Sequence, residues 1–281
     1  MTKQTPLRRV HLVAGGFPRG SWAGHDIDYV RLRLLESLRG SPNVAVSVAN
    51  DYLDLDSWLP GSDLLVTYVA GPFPDEAQSE QIERWLAGGG RWLAFHGTSG
   101  GKAAPLPDGR PGRAMVRAAH HRVLGAFFLN HPPIRRFCVD VEASDHPVTK
   151  GVPASFEVTD ELYLLQLEAP SATRVLLSTA DLDADDSAPR TFGFTYGEDT
   201  SLGADGRTRV LGYERSVGAG AVVYLALGHC HTPWTNIQPL VDEGVARGGV
   251  TPLEFKGPWG TEAFERLVAN GLAWGLGGQR A

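Results

Sequence analysis

Three short stretches hold the residues best suited to chemistry. Arg91 to Gly101, RWLAFHGTSGG, passes from apolar residues into His96 and then into glycines and small hydroxyl residues. Ala221 to Trp234, AVVYLALGHCHTPW, repeats that plan with His229 and His231 after the apolar run. Between them, FEVTDELYLL carries the adjacent carboxylates Asp160 and Glu161. Imidazole titrates near neutral pH, and a carboxylate can orient it or act as a base, so His96, Glu161 and His229 are the candidate catalytic groups. Two imidazoles and a carboxylate can equally hold Zn²⁺ or another divalent cation with a position open to water. No short ligand motif such as HExxH is present, so a metal is compatible with the sequence and is not inferred from it.

His25, Tyr68, His131 and Trp234 are candidate substrate-binding residues, because each falls in or near a loop at an expected strand end; Trp22 and Phe73 share that placement. Each has a plainer structural alternative. His131 and His146 precede proline and suit turns, Asp160 suits a cap, and the aromatic residues suit a core edge. His120 and His121 fall in an expected helix and read as ordinary surface or partly buried residues, and His11 alternates within a strand. Residues 97–101, GTSGG, match the G-x-S-x-G nucleophile elbow, and the order Ser99, Asp160, His229 matches a hydrolase triad. That elbow needs a helix directly after the serine. The prolines and glycines of KAAPLPDGRPG do not sustain one, so a serine hydrolase is the weaker reading.

The elements that must position these groups alternate in type. Strands are expected at Val10 to Ala14, Val44 to Ala49, Leu64 to Val69 and Trp92 to Phe95, with helices at Asp26 to Arg39 and Asp75 to Ala87. Interleaved strands and helices imply right-handed crossovers and an α/β fold with a mostly parallel sheet and helices on both faces. Ligands then bind at the carboxyl ends of the strands, where His96 and His229 emerge. Gly97 to Gly112 reads as a loop, suited to a lid or to a contact in a homo-oligomer, followed by a helix from Met115 to Phe128 and a strand from Arg136 to Val141. The C-terminal half adds strands, expected at Glu157 to Val158, Tyr163 to Leu167, Arg174 to Ser178, Thr191 to Tyr196, Thr208 to Tyr213 and Ala221 to Leu227. Asp181 to Pro189 is an acidic loop lacking the glycine turn and terminal Glu of a calcium site. A helix from Thr261 to Trp274 closes the pattern.

Composition narrows the class. Hydrophobic residues make up 42% and charged residues 21%, as expected of a globular enzyme. The net charge of −6 argues against nucleic acid and anionic membranes as partners. Two cysteines, Cys138 and Cys230, do not build a disulfide framework. The first apolar run is too short for a signal peptide or a membrane span, so a cytoplasmic location is expected.

Three blocks together resemble a known family. They are GGRWLAFHGTSG at Gly89 to Gly100, the stretch from GAFFLNHP at Gly125 through HPVTKGVPASFEVTDELYLL to Leu165, and GAGAVVYLALGHCHTPW at Gly218 to Trp234. The pattern HP-[IV]-T-x-G followed by DE-x-Y is the most specific part. The chain resembles the ThuA-like family, named for trehalose utilisation and similar in fold to class I glutamine amidotransferases. The resemblance implies a flavodoxin-like three-layer sandwich, one domain over 1–281, and a small-molecule carbohydrate or oxidised carbohydrate derivative as substrate. A glutamine amidotransferase needs a cysteine nucleophile on the turn after this strand to form its thioester. His96, Gly97 and Thr98 stand there instead, so amidotransferase activity is not expected. Hydrolysis, elimination or isomerisation centred on His96, Glu161 and His229 is the catalytic expectation, and a noncatalytic sugar-binding or regulatory protein is the rival.

Overall fold

A computed structural model describes residues 6–16, 25–41, 43–182, 193–235 and 241–277. Trp22, most of the acidic loop and the start of the expected Thr191 strand lie outside them. The chain opens with β1 (Arg8–Gly15), α1 (Ile27–Arg39), β2 (Val44–Ala49), the short α2 (Leu55–Trp58), β3 (Leu64–Val69), α3 (Glu76–Ala87) and β4 (Arg91–Phe95). It continues with β5 (Ala103–Pro105), β6 (Arg113–Met115), α4 (Ala119–Leu124), β7 (Ala126–Asn130), β8 (Arg135–Val141) and β9 (Ser155–Asp160). The remainder is β10 (Leu164–Leu167), β11 (Thr173–Thr179), β12 (Arg209–Val217), β13 (Gly220–Leu225) and α5 (Glu262–Gly277).

Among the described residues, one nine-stranded sheet runs in the order β2-β1-β3-β4-β13-β12-β11-β8-β9. Its first five strands pair in parallel, and each later ladder is antiparallel. Only β12 and β8 therefore run against the rest, and the sheet is mostly parallel by direction. Central parallel strands are covered on both faces, which demands a continuous apolar run instead of alternation. LLVTYV in β3 and GAVVYL in β13 meet that demand, with every residue buried.

The helices carry clear local signals. Asp26 caps α1 by accepting from Tyr29 N at 3.1 Å, and Asp75 and Gln78 form a capping box on α3. On one side α1 packs on β1 and β3 and meets α5, which packs on β4; α3 packs on β13 and meets α4. The buried face of α5 is Phe264, Leu267, Val268, Leu272 and Trp274.

Two expectations for the middle of the chain require correction. The Gly97 to Gly112 stretch is not all loop, because Ala103–Pro105 pairs with Arg113–Met115 as an antiparallel ribbon. The expected helix from Met115 to Phe128 is only α4 in its centre. Gly125, at φ 100°, ends it in a left-handed turn, and the following residues pair with β10. Residues 193–196, the described part of the expected Thr191 strand, form no strand. No helix among the described residues is long and apolar enough to cross a membrane.

Candidate active site

The parallel half of the sheet delivers the site. His96 follows β4 directly and begins a turn of 3₁₀ helix, His96–Ser99. Its φ of 40° lies in the left-handed region that non-glycine residues avoid, so the turn carries local strain. Gly97 is required next, because a Cβ there would stand 2.6 Å from Val69 O. His229 follows β13, the neighbour of β4, after Gly228 at φ 127°.

His25 enters from the turn before α1. Asp26 N donates to Cys230 O at 2.9 Å, and Lys256 Nζ meets Asp26 Oδ2 at 3.0 Å, so this turn is tied to the one after β13. The His25 ring centroid consequently lies 5.0 Å from that of His96 and 4.9 Å from that of His229.

Glu161 arrives from the antiparallel half. β9 stands four places from β13 in the sheet, yet the residues just past each of them meet. Asp160 joins them. Its carboxylate accepts from Gly228 N at 2.7 Å, His229 N at 2.9 Å and Glu161 N at 2.9 Å. Glu161 then faces three imidazoles: its Oε2 is 3.3 Å from His96 Nε2 and 3.7 Å from His131 Nε2, and its Oε1 is 3.2 Å from His229 Nδ1. The ligand-capable atoms of His25, His96, Glu161 and His229 all lie within 4.8 Å of one another. Among the described residues, these four are the ones that could hold a metal ion.

Hydrogen bonds behind the rings fix their orientation. His96 Nδ1 donates to Ala226 O at 2.7 Å. His231 Nε2 donates to Pro252 O at 2.8 Å, so in the neutral ring its Nδ1 accepts from His229 Nε2 at 3.0 Å. A carbonyl can only accept, which sets both tautomers through the network. Tyr68 is fully buried beneath the cluster, with its hydroxyl donating to Gly228 O at 2.9 Å. Tyr163 covers His96 at a centroid distance of 4.2 Å, and His131 stacks on Tyr163 at 5.7 Å.

Charge follows from this packing. Burial opposes ionisation of Glu161, but His131, His229 and His96 outweigh it and hold the carboxyl well below its usual range. Burial also opposes the His96 imidazolium, yet the contact with Glu161 and the Asp160 charge leave its pKa raised. His229 is driven well below the ordinary imidazole value, first by burial. Asp160 is pushed up to about 7, again chiefly by burial.

The cluster opens into a cleft of about 1340 Å³, whose lining includes His25, His131, Glu161 and His229 with Phe73, Phe128, Tyr163 and Phe194. Asn130 holds Phe194 in place from both sides, accepting from its N at 3.1 Å and donating to its O at 2.9 Å. The β5–β6 ribbon supplies Lys102, Ala103, Arg113 and Met115 to the same wall.

Of the residues singled out in the sequence, His96, Glu161, His229, His25 and His131 converge. Tyr68 lies beneath them, whereas Trp234 is 63% exposed and does not line the cleft. Ser99 is buried and bonded to the Tyr224 hydroxyl at 2.8 Å, with no imidazole among its hydrogen-bond partners in the described residues. The triad pattern is therefore not assembled. His231 and Tyr163 also belong to the cluster, and their only sequence signal is that HCH and DELY place each two residues from a candidate. His120 and His121 are buried, and both reach Gly100 O, at 2.7 and 2.9 Å, pinning the turn that follows His96.

The polar groups thus gather at the carboxyl ends of parallel strands, the place where open α/β sheets form their ligand crevices. The chain belongs to the trehalose utilisation (ThuA) family, whose profile matches residues 19–249. It is similar in structure to a ThuA-like protein from Bacteroides uniformis ATCC 8492, at TM-score 0.58 and 17% identity over 98% of this chain and 94% of that one. A ThuA-like protein from Parabacteroides merdae ATCC 43184 is similar at TM-score 0.58 and 15% identity, over 96% and 90% of the two chains. At these identities the likeness shows the shared fold. No curated protein matches the chain in sequence.

Proposed function

We propose that this chain is an enzyme that transforms a carbohydrate or an oxidised carbohydrate derivative by proton transfer in the cleft. Membership of a family described by trehalose utilisation supports a role in sugar use. The observation that carries the reading is the convergence of His96, His131 and His229 on the buried Glu161 where the cleft ends. Buried groups with displaced titration, facing a concave pocket, are the usual mark of a reaction site. A sugar entering it offers C–H faces to Phe73, Phe128 and Phe194 and oxygens to the imidazoles.

The chemistry follows from the charges. Glu161 is ionised and His229 neutral, so both are able to accept a proton; His96, raised in pKa, is able to return one. Hydrolysis, elimination and isomerisation of a sugar all need such a pair. The frame we take for it is a flavodoxin-like three-layer sandwich and one domain over 1–281, supported by α1 meeting α5 and α3 meeting α4.

The aromatic lining also suits a noncatalytic sugar-binding protein, and turnover separates the two. Product analysis by NMR with trehalose and with disaccharides oxidised at one hydroxyl should show conversion by the unaltered chain. Conversion should fall by about 10²-fold or more in Glu161→Gln, the range for losing an acid or base group. Binding without conversion, insensitive to Glu161→Gln, establishes the noncatalytic reading instead.

A further inference from the structure

We infer that His25, His96, Glu161 and His229 form a binding site for one divalent transition-metal cation of the zinc class. The inference rests on the cluster of the proposed function and refines its chemistry: with the ion bound, His96, Glu161 and His229 serve as ligands and the proton transfer passes to His131.

Spacing is the first argument. Protein ligands stand about 2.0 to 2.2 Å from zinc in tetrahedral geometry, which puts neighbouring ligand atoms about 3.4 Å apart. Glu161 Oε2 lies 3.3 Å from His96 Nε2 and its Oε1 lies 3.2 Å from His229 Nδ1, so either oxygen has one imidazole nitrogen at that separation, and the ligand atoms of all four residues lie within 4.8 Å of one another. Neither His96 Nε2 nor His229 Nδ1 makes an aligned hydrogen bond among the described residues, although both atoms are buried. They are close enough to the carboxylate for a bond and are not directed along it, as expected of atoms directed at a common point beside it.

Orientation is the second. When neutral, each ring presents a bare nitrogen to the cluster, because its other nitrogen donates backwards, His96 to Ala226 O and His229 to His231 Nδ1. Metal-binding histidines have this arrangement, in which an outer partner fixes the tautomer and raises the basicity of the ligating atom.

The donor set decides the class of ion. Three imidazoles and a carboxylate suit zinc and its transition-metal neighbours, whereas calcium and magnesium favour oxygen ligands. With four protein ligands in place, such an ion would polarise a sugar oxygen by taking it as a fifth ligand. His131 lies outside the four-ligand set, 3.7 Å from Glu161 Oε2, and is the imidazole left to exchange protons with the sugar.

The test is metal content, followed by Co²⁺ titration. The full chain purified without added metal should carry about one transition-metal ion. After chelation it should take up one equivalent of Co²⁺ with the visible absorption of a nitrogen and oxygen site. His25→Ala and His229→Ala should abolish that uptake, and His231→Gln should weaken it about 10- to 100-fold, as loss of an outer partner does. His146→Gln, outside the cluster, should leave it unchanged. Where a variant fails to fold, the fall in Tm of the unaltered chain on chelation carries the same test. Neither a bound ion nor one-equivalent uptake of Co²⁺ or Zn²⁺ overturns the inference, and so does uptake that survives both alanine variants. Metal-free protein that still converts sugar, and loses that in Glu161→Gln, overturns the ion while the proposed function stands. A bound ion with no sugar converted does the reverse.

Discussion

His96 concentrates the account in one residue. It begins the turn after β4 with φ 40°, a conformation that costs an L-residue about 1 to 2 kcal/mol. The strained turn leaves the ring 3.3 Å from Glu161 at the end of β4. Replacing His96 by glycine or by alanine removes the imidazole in both cases, so their difference isolates the backbone. His96→Gly should be the more stable by about 1 kcal/mol in urea unfolding; equal stabilities would show that no strain is stored there. His96, His229 and Glu161 were legible in the sequence, since each ends an apolar run or sits in a distinctive acidic motif. His231 was not selected, because its contribution is a hydrogen bond to Pro252 O that exists only when two distant turns have met. Tyr68 was legible as a strand-end aromatic, but not the direction of its ring, which lies under the cluster and away from the cleft.

At the scale of elements, the parallel strands and the long helices were legible, because central strands need continuous apolar runs and α1, α3 and α5 have one apolar face each. The stretch from Met115 to Phe128 was not. Apolar spacing there fits a helix, but Gly125 terminates α4, and β7 gains a partner strand whose position no local pattern encodes. The correction changes the meaning of His120 and His121, which are buried donors to Gly100 O. Burial, the main cause, lowers their pKa values to about 4 and about 3. Both therefore stay neutral in the fold at pH values where the unfolded chain, near 6.5, takes up protons. Their contribution to stability is constant above about pH 6.5 and falls as pH drops from there towards 4, by about 1.4 kcal/mol per pH unit for each ring. Denaturant unfolding at a series of pH values across this window should give a shallower dependence for His121→Gln than for the unaltered chain. Parallel curves would mean that the ring is protonated in the folded state.

For the whole molecule, the site is the product of convergence between the two halves of the sheet. β4 and β13 bring His96 and His229 side by side, the turn before α1 adds His25, and the antiparallel half returns Glu161 through the Asp160 clamp on Gly228 and His229. The alternation of strands and helices revealed the first half of this plan. The adjacency of β13 to β4 and the reach of Asp160 are long-range facts that periodicity does not carry; the family resemblance, through its DE-x-Y block, pointed at the residues without their geometry. The central claim is that sugar chemistry takes place where these elements meet. Its most direct test is a crystal structure of the Glu161→Gln chain soaked with trehalose or with a disaccharide oxidised at one hydroxyl. The sugar should lie along Phe73, Phe128 and Phe194 with an oxygen in hydrogen-bond reach of His131 or residue 161. A sugar seated elsewhere on the molecule, with the cleft vacant, would contradict the account.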